Sequence, residues 1–418
     1  MKENLILLTN YYPFHKGEEY LETEIEYLKD AFDTITIVPT MVRSDMKQTR
    51  KVPENIRVIG LVAPQGIRDK IGNFVKYVPK VFGRKEIMSH IKHESKLNPY
   101  KWAYNLYFES RAIGVYKRLM DRVGLPKHDN ENRVTIYSYW FYITANIGIK
   151  LKENYYRDPN IKIISRGHGY DVNDYIKPFS FLPERTYMLE KIDTLFTVSK
   201  TSRDYLRNKY KKYQDKIETA PLGVIRNQFQ ETTRTPLKVV SCSTIRKLKR
   251  IDITIVALKA LEDANIPYHY THIGDGPERD EIKELAKKRL KEENYTFTGA
   301  MSNEAVSQWF KNNQPDVFIN TSSSEGVPVS IMEALAYATP IIASDVGGTK
   351  EVVYTGVNGV LLKNYEDIDE VSNALIKLAT MEESEYQDLR KRSYNVWKNE
   401  RNAAQLYTEF SNNLKHHS

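Results

Sequence analysis

"DVFINTSSSEGVPVSIMEALAYATPIIASD", Asp316–Asp345, is the stretch that decides the fold. An apolar run leads into a loop of small residues, then a helical pattern, then a second apolar run. Strand, helix and strand in that order predict a parallel crossover. Pro328 suits the first turn of the helix, where its missing N–H is no loss. The amides from Gly326 to Ser330 are therefore expected at a helix N-terminus, a setting that attracts phosphate. Nineteen residues separate Glu325 from Asp345 and one of them, Glu333, is charged, in a chain that is 28% charged. Its neighbours three and four positions away, Val329, Ser330, Ala336 and Tyr337, carry no charge. A carboxylate is seldom stripped of water without a partner. The partner of Glu333 must come from elsewhere in the fold or from a ligand, and the two vicinal hydroxyls of a ribose would serve.

The same rhythm runs through the chain. "NLILLTN" predicts a first strand, "EEYLETEIEYLKDAF" a helix and "TITIVPT" a second strand; "RVTIYSYW", "IKIISRGH" and "TLFTVS" follow as short β-rich runs. The second half repeats it with "LKVVSCST", a helix over 251–263, "YHYTHIGDG", a helix over 278–290, "YTFTGA", a helix over 303–311, and then the opening stretch. Alternating strands and helices imply parallel sheets. Two such series, joined near "PLGVIRNQFQETTRTPLK", predict an α/β protein of two doubly wound, Rossmann-like domains facing each other across a cleft. In such sheets ligands bind beyond the carboxyl ends of the strands.

At 418 residues the chain is too long for one ordinary core. Cys242 is its one cysteine, which excludes an internal disulfide and a cysteine-based metal cluster and suits a reducing compartment. The N-terminal "MKENLILLTNYYPF" has only four consecutive apolar residues, Leu5 to Leu8, too few for a signal-peptide core. No apolar run reaches the length of a membrane-spanning helix, so a cytoplasmic protein is expected. The net charge of +8 is uneven: residues 1–230 hold 39 basic and 27 acidic residues, and residues 51–150 alone hold 18 and 8. That basic region interleaves Lys and Arg with Ile, Phe, Val, Tyr and Trp, a pattern suited to an anionic membrane surface. No nucleic-acid module accompanies the charge.

The stretch from Ser322 to Leu362, with "HIGDGPERDEIKELA" and "YTFTGAMSNEAVSQWF" upstream, resembles the signature of glycosyltransferase family 4, retaining enzymes with the GT-B fold; the pattern around Gly17, with Glu19 and Glu24, resembles exopolysaccharide-type members more than sucrose- or glycogen-type ones. The resemblance implies a donor-binding domain over 237–400 and an acceptor-binding domain over 1–228, completed by a C-terminal helix at about 401–418. It implies that Glu325 holds hydroxyls of the donor sugar, that Glu333 holds the nucleotide ribose, and that the backbone of Gly326, Val327, Pro328 and Val329, with Ser330, contacts sugar and diphosphate. Lys249 falls on the position of a phosphate-binding Lys. The companion Arg position holds Thr244, a departure that leaves Arg246 or Arg250 to stand in. Gly274 and Asp275 would lie near the nucleotide, and the backbone of Gly299, Ala300 and Met301 would face the base. His168, in "RGHGYD", would lie near the reacting centre, with Asp171 orienting its neighbours. Gly17 would let backbone approach phosphate and acceptor; nearby Glu19 and Glu24 read equally well as first-turn helix carboxylates favoured by the helix dipole.

Taken together, these readings predict a retaining, metal-independent glycosyltransferase with no cofactor. A nucleotide diphosphate sugar is the co-substrate and a lipid-linked or polysaccharide acceptor receives the sugar, at the inner face of the plasma membrane. A non-catalytic sugar-nucleotide-binding scaffold, an epimerase on the same architecture, and a transferase acting on a protein or teichoic-acid acceptor remain open alternatives.

Overall fold

The computed structural model describes residues 1–14, 17–122, 124–225 and 234–416. The expected connection at 221–238 thus lies partly outside the described residues. The chain divides into two units, Met1–Pro221 with Gln405–Ser418, and Leu222–Ala404.

The first unit holds a seven-stranded parallel sheet of β1 (Lys2–Thr9), β2 (Thr34–Pro39), β3 (Ile56–Val58), β4 (Asn132–Ser138), β5 (Lys162–Gly167), β6 (Thr194–Thr197) and β7 (Ile217–Thr219), ordered β3-β2-β1-β4-β5-β6-β7. The apolar run of β1 is explained by burial on both faces, as parallel sheets require. Leu5 and Leu7 join one core with Tyr137, Ile164 and Phe410, while Ile6 and Leu8 join another with Ile136 and Ile163. The C-terminal helix, Ala403–His416, supplies Phe410 and Leu414 to the first of these cores. Three helices, Gly66–Phe82, Lys85–Ser95 and Pro99–Met120, fill the basic region between β3 and β4.

The second unit holds a six-stranded parallel sheet of β8 (Leu237–Cys242), β9 (Tyr268–Ile273), β10 (Tyr295–Phe297), β11 (Val317–Asn320), β12 (Ile341–Ser344) and β13 (Gly359–Leu362), ordered β10-β9-β8-β11-β12-β13. Both sheets are doubly wound, as expected. Strand order reverses between β1 and β4 in one and between β8 and β11 in the other, and at such points the loops diverge to leave a crevice. The sequence reading missed three short strands, β3, β7 and β13. Four residues or fewer show too little pattern to stand out from loops.

Candidate functional site

In the second unit the loops beyond β8, β9, β10, β11 and β12 share one edge of the sheet. The loop after β8, residues 243–250, is tied to the loop after β11 by backbone. The Ser323 amide donates to the Leu248 carbonyl at 2.9 Å, and the Thr321 hydroxyl donates to the Arg250 carbonyl at 2.7 Å. These ties bring Lys249 and Glu325 together at the switch point: Lys249 Nζ donates to Glu325 Oε1 at 2.6 Å, and Asn320 Nδ2 donates to the same oxygen at 3.1 Å. Both partners are partly shielded, so the contact is stronger than an exposed ion pair.

The Glu325 loop is pressed from the far side by the turn after β12. The Gly348 amide donates to the Gly326 carbonyl at 2.7 Å. Gly347 sits at φ +55°, and a Cβ there would stand 1.9 Å from the Glu325 carbonyl oxygen. Only glycine fits a backbone crossing this close. Pro328 is the N-cap of the helix Val329–Ala336 rather than a residue of its first turn. Its ψ of 114° is extended, and its carbonyl accepts the Ile331 amide at 3.2 Å. Among the described residues no acceptor takes the amides of Gly326, Val327, Val329 or Ser330. They remain as donors at the positive end of a helix.

Glu333 lies in the second turn of that helix. Among the described residues no donor or cation reaches its carboxylate. Burial pushes its pKa up from 4.5 to about 7. The same burial, with the Glu333 charge adding to it, pushes the Cys242 thiol at the end of β8 up to about 12, so Cys242 is a neutral apolar neighbour.

The turn after β9 packs on the loop after β8. Gly274, at φ +146°, donates to the Gly299 carbonyl at 3.0 Å, and a Cβ on it would stand 1.9 Å from the Ser243 carbonyl oxygen. The Asp275 carbonyl accepts the Ile245 amide at 3.1 Å, while its carboxylate accepts the Gly276 amide at 2.8 Å. Gly299, Ala300 and Met301 line the neighbouring turn, with open space beside Gly299. Of the two candidate arginines, Arg250 is bound to Asp252 at 3.2 Å and to Glu366 at 2.9 Å. Arg246 is exposed and, among the described residues, unpaired, so it is the guanidinium left over where Thr244 departs from the expected pattern.

The first unit carries its own cluster at its switch point. The His168 ring, beyond β5, packs at a tilt against the rings of Tyr139 and Trp140, with centroids 4.7 and 4.6 Å away. Both ring nitrogens are out of solvent and without hydrogen-bond partners. Burial first, and then the Arg166 charge, push its pKa down to about 3, so the imidazole is neutral. Asp171 accepts the amides of His168 and Phe141, each at 2.6 Å, and so fixes the loop. Gly17 adopts φ +96° and donates to Glu19 at 2.6 Å. Glu24 is no surface dipole partner: it is fully buried, ion-paired with Arg166 and accepts the Tyr137 hydroxyl at 2.9 Å. Sequence reasoning missed Glu18. Its carboxylate accepts the amides of Asn10, Tyr11 and Tyr12 at 2.7, 2.8 and 2.7 Å and the Trp140 indole at 2.6 Å, organising the loop after β1. A glutamate in a polar loop gives no local sign of that role.

Possible metal ligands gather elsewhere. Glu86, His90 and Glu190 place ligand atoms within 4.8 Å of one another, but Glu86 is already paired with Lys191 at 2.6 Å.

Residues 225–396 match the family described as glycosyl transferases group 1. Over 214 residues it is 23% identical to WcaL, a glycosyltransferase of Escherichia coli (strain K12) named for colanic acid biosynthesis, covering 48% of this chain and 51% of the relative. Over 181 residues it is 28% identical to the GtfA subunit of a UDP-N-acetylglucosamine–peptide N-acetylglucosaminyltransferase from Streptococcus agalactiae, covering 41% and 34%. The chain spans about half the length, or less, of these curated relatives. The solved structure of the lipopolysaccharide outer core galactosyltransferase WaaB superposes with a TM-score of 0.65 at 12% identity, over 99% of each chain. That likeness speaks to the fold, which is GT-B.

Proposed function

We propose that the protein is a retaining glycosyltransferase that moves a sugar from a nucleoside diphosphate to a hydroxyl of a lipid-linked or polysaccharide acceptor during surface-polysaccharide assembly at the inner face of the membrane. One observation carries this reading. A carboxylate without a partner, Glu333, lies in the same loop cluster as the Lys249–Glu325 pair and a set of free helix-terminal amides. Glu333 accepts the two ribose hydroxyls. The amides of Gly326, Val327, Val329 and Ser330, with Lys249 and Arg246, take the diphosphate, and Glu325 takes hydroxyls of the sugar. The bond from the anomeric carbon to the diphosphate oxygen breaks while a bond to the acceptor oxygen forms on the same face. The acceptor proton passes to the departing phosphate. Preorganised positive groups placed where that phosphate gains charge lower the barrier, and in this reading they do the work a divalent cation would otherwise do. His168, neutral and packed against Tyr139 and Trp140, is the first unit's candidate site residue.

The likeness to WcaL supports a saccharide acceptor; that to the peptide-modifying GtfA subunit favours a protein acceptor as the second reading. Calorimetry of the full chain against UDP-, GDP- and dTDP-sugars, in the presence of a chelator, tests the donor site. One donor class should bind, Glu333→Ala should raise its Kd, and Glu325→Ala should mainly lower turnover. No uptake of any nucleoside diphosphate sugar, or wild-type kinetics in both variants, would refute the proposal. Offering lipid-linked saccharide and unfolded polypeptide side by side separates the two acceptors.

A further inference from the structure

The helix Gly66–Phe82 carries more apolar surface than its unit covers. Tyr77 and Val81 are buried, and Phe74 and Val78 are partly buried against the core. Ile67, Ile71 and Val75 recur at every fourth residue on the adjoining stripe and stand in solvent, 77%, 56% and 62% exposed. Phe82 continues the stripe, and its ring lies 6.1 Å from that of exposed Trp102 on the next long helix. On that helix the Tyr100 ring reaches exposed Phe179 at 5.1 Å, and Leu97 just before it is wholly exposed. The stripe from Ile67 to Phe82, with Trp102 beside it, is thus an exposed apolar patch. A patch of this kind marks an interaction site.

Its surroundings are basic. Arg68, Lys70, Lys85, Lys92 and Lys96 are exposed, and among the described residues none is in an ion pair. The nearby acids are engaged: Asp69 accepts the Gln65 amide at 3.1 Å, and Glu86 holds Lys191. An apolar stripe flanked by lysine and arginine is how an interfacial helix lies on a bilayer. A second copy of this chain would bring like charges together, and a nucleic acid would have no use for an aliphatic stripe.

We infer that this face docks on an anionic lipid bilayer, with Ile67, Ile71, Val75 and Phe82 entering the headgroup layer and the flanking basic groups meeting lipid phosphates. The inference deepens the proposed function by naming the surface on which a lipid-linked acceptor would be met. Its test uses no donor or acceptor, so its failure leaves the transfer reaction standing.

The test is co-sedimentation of the full chain with phosphatidylcholine vesicles, with and without phosphatidylglycerol. The wild type should bind the anionic vesicles, weaken in high salt and bind neutral vesicles poorly. Arg68→Gln, Lys70→Gln and Lys96→Gln combined should lower partitioning on the order of 100-fold, at roughly fivefold per charge. Ile67→Ser, Ile71→Ser and Val75→Ser combined should lower it by at least about tenfold even in low salt, since buried methylenes are lost. All six positions are exposed, so unchanged circular dichroism and melting temperature serve as the folding control. Equal binding to neutral and anionic vesicles overturns the inference. So does wild-type binding by the serine variant, or self-association of the wild type that the serine variant abolishes.

Discussion

Replacing Glu333 with Gln should stabilise the protein at neutral to alkaline pH and weaken donor binding, two effects of opposite sign from one atom exchange. Burial raises the Glu333 pKa from 4.5 to about 7 in the folded state. Between those values the folded state holds a proton that the unfolded state releases, so stability falls as pH rises through this window. Above pH 7 the full penalty applies, about 3 kcal/mol at 1.36 kcal/mol for each pKa unit. Below 4.5 both states are protonated and the penalty disappears. Gln is never charged, so its advantage is largest at pH 8 and shrinks toward pH 4.5. At about 2–4 °C per kcal/mol for a unit of this size, Tm should rise by up to about 6–12 °C at pH 8. Donor affinity moves the other way. A hydrogen bond to a charged acceptor contributes about 1.5–3 kcal/mol, so the Gln variant should bind donor roughly 10- to 150-fold more weakly. Wild-type affinity should also decline below pH 7, as Glu333 takes up its proton. Thermal melts at pH 4.5 and 8, with calorimetric donor titrations at pH 6 and 8, measure all of this. A Gln variant with the same Tm offset at both pH values, or with undiminished donor affinity, would show that Glu333 is not an unpartnered, partly buried acceptor.

Lys249→Ala should lower turnover by about 10²–10³, the usual loss when one preorganised donor at developing charge is removed; steady-state kinetics with the preferred donor checks it. Arg246→Ala should slow transfer, whereas Arg250→Ala should act mainly on stability, because Arg250 is already held by Asp252 and Glu366; paired kinetics and melts separate the two. Gly347→Ala forces a Cβ against the Glu325 carbonyl and should cost both folding stability and donor binding, whereas Gly326→Ala meets open space and should leave Tm unchanged while weakening donor binding. The His168 pKa, lowered from 6.5 to about 3, makes stability fall as pH drops below 6.5. His168→Phe should therefore unfold less readily than the wild type at pH 4, a difference that circular dichroism across pH would detect.

By itself the sequence determined the alternation of strands and helices and the doubly wound class. Apolar runs such as Leu5–Leu8 and Val317–Ile319, set between helical periods, are local signals that parallel sheets impose on every buried strand. It also marked Glu333, because a single charge in an apolar stretch stands out without any knowledge of the fold. What only the tertiary structure decided is who meets whom. Lys249 and Glu325 are 76 positions apart and touch because β8 and β11 are neighbours in the sheet. Glu24 became the buried partner of Arg166, across 142 positions, because the helix Leu21–Ala31 packs on the face of the first sheet. That Gly347 is a contact glycine, that Glu18 gathers four donors and that Arg250 is already engaged could not be read locally. Neighbourhood in a parallel sheet is set by strand order, and strand order is settled by the packing of the whole unit rather than by any one stretch of chain.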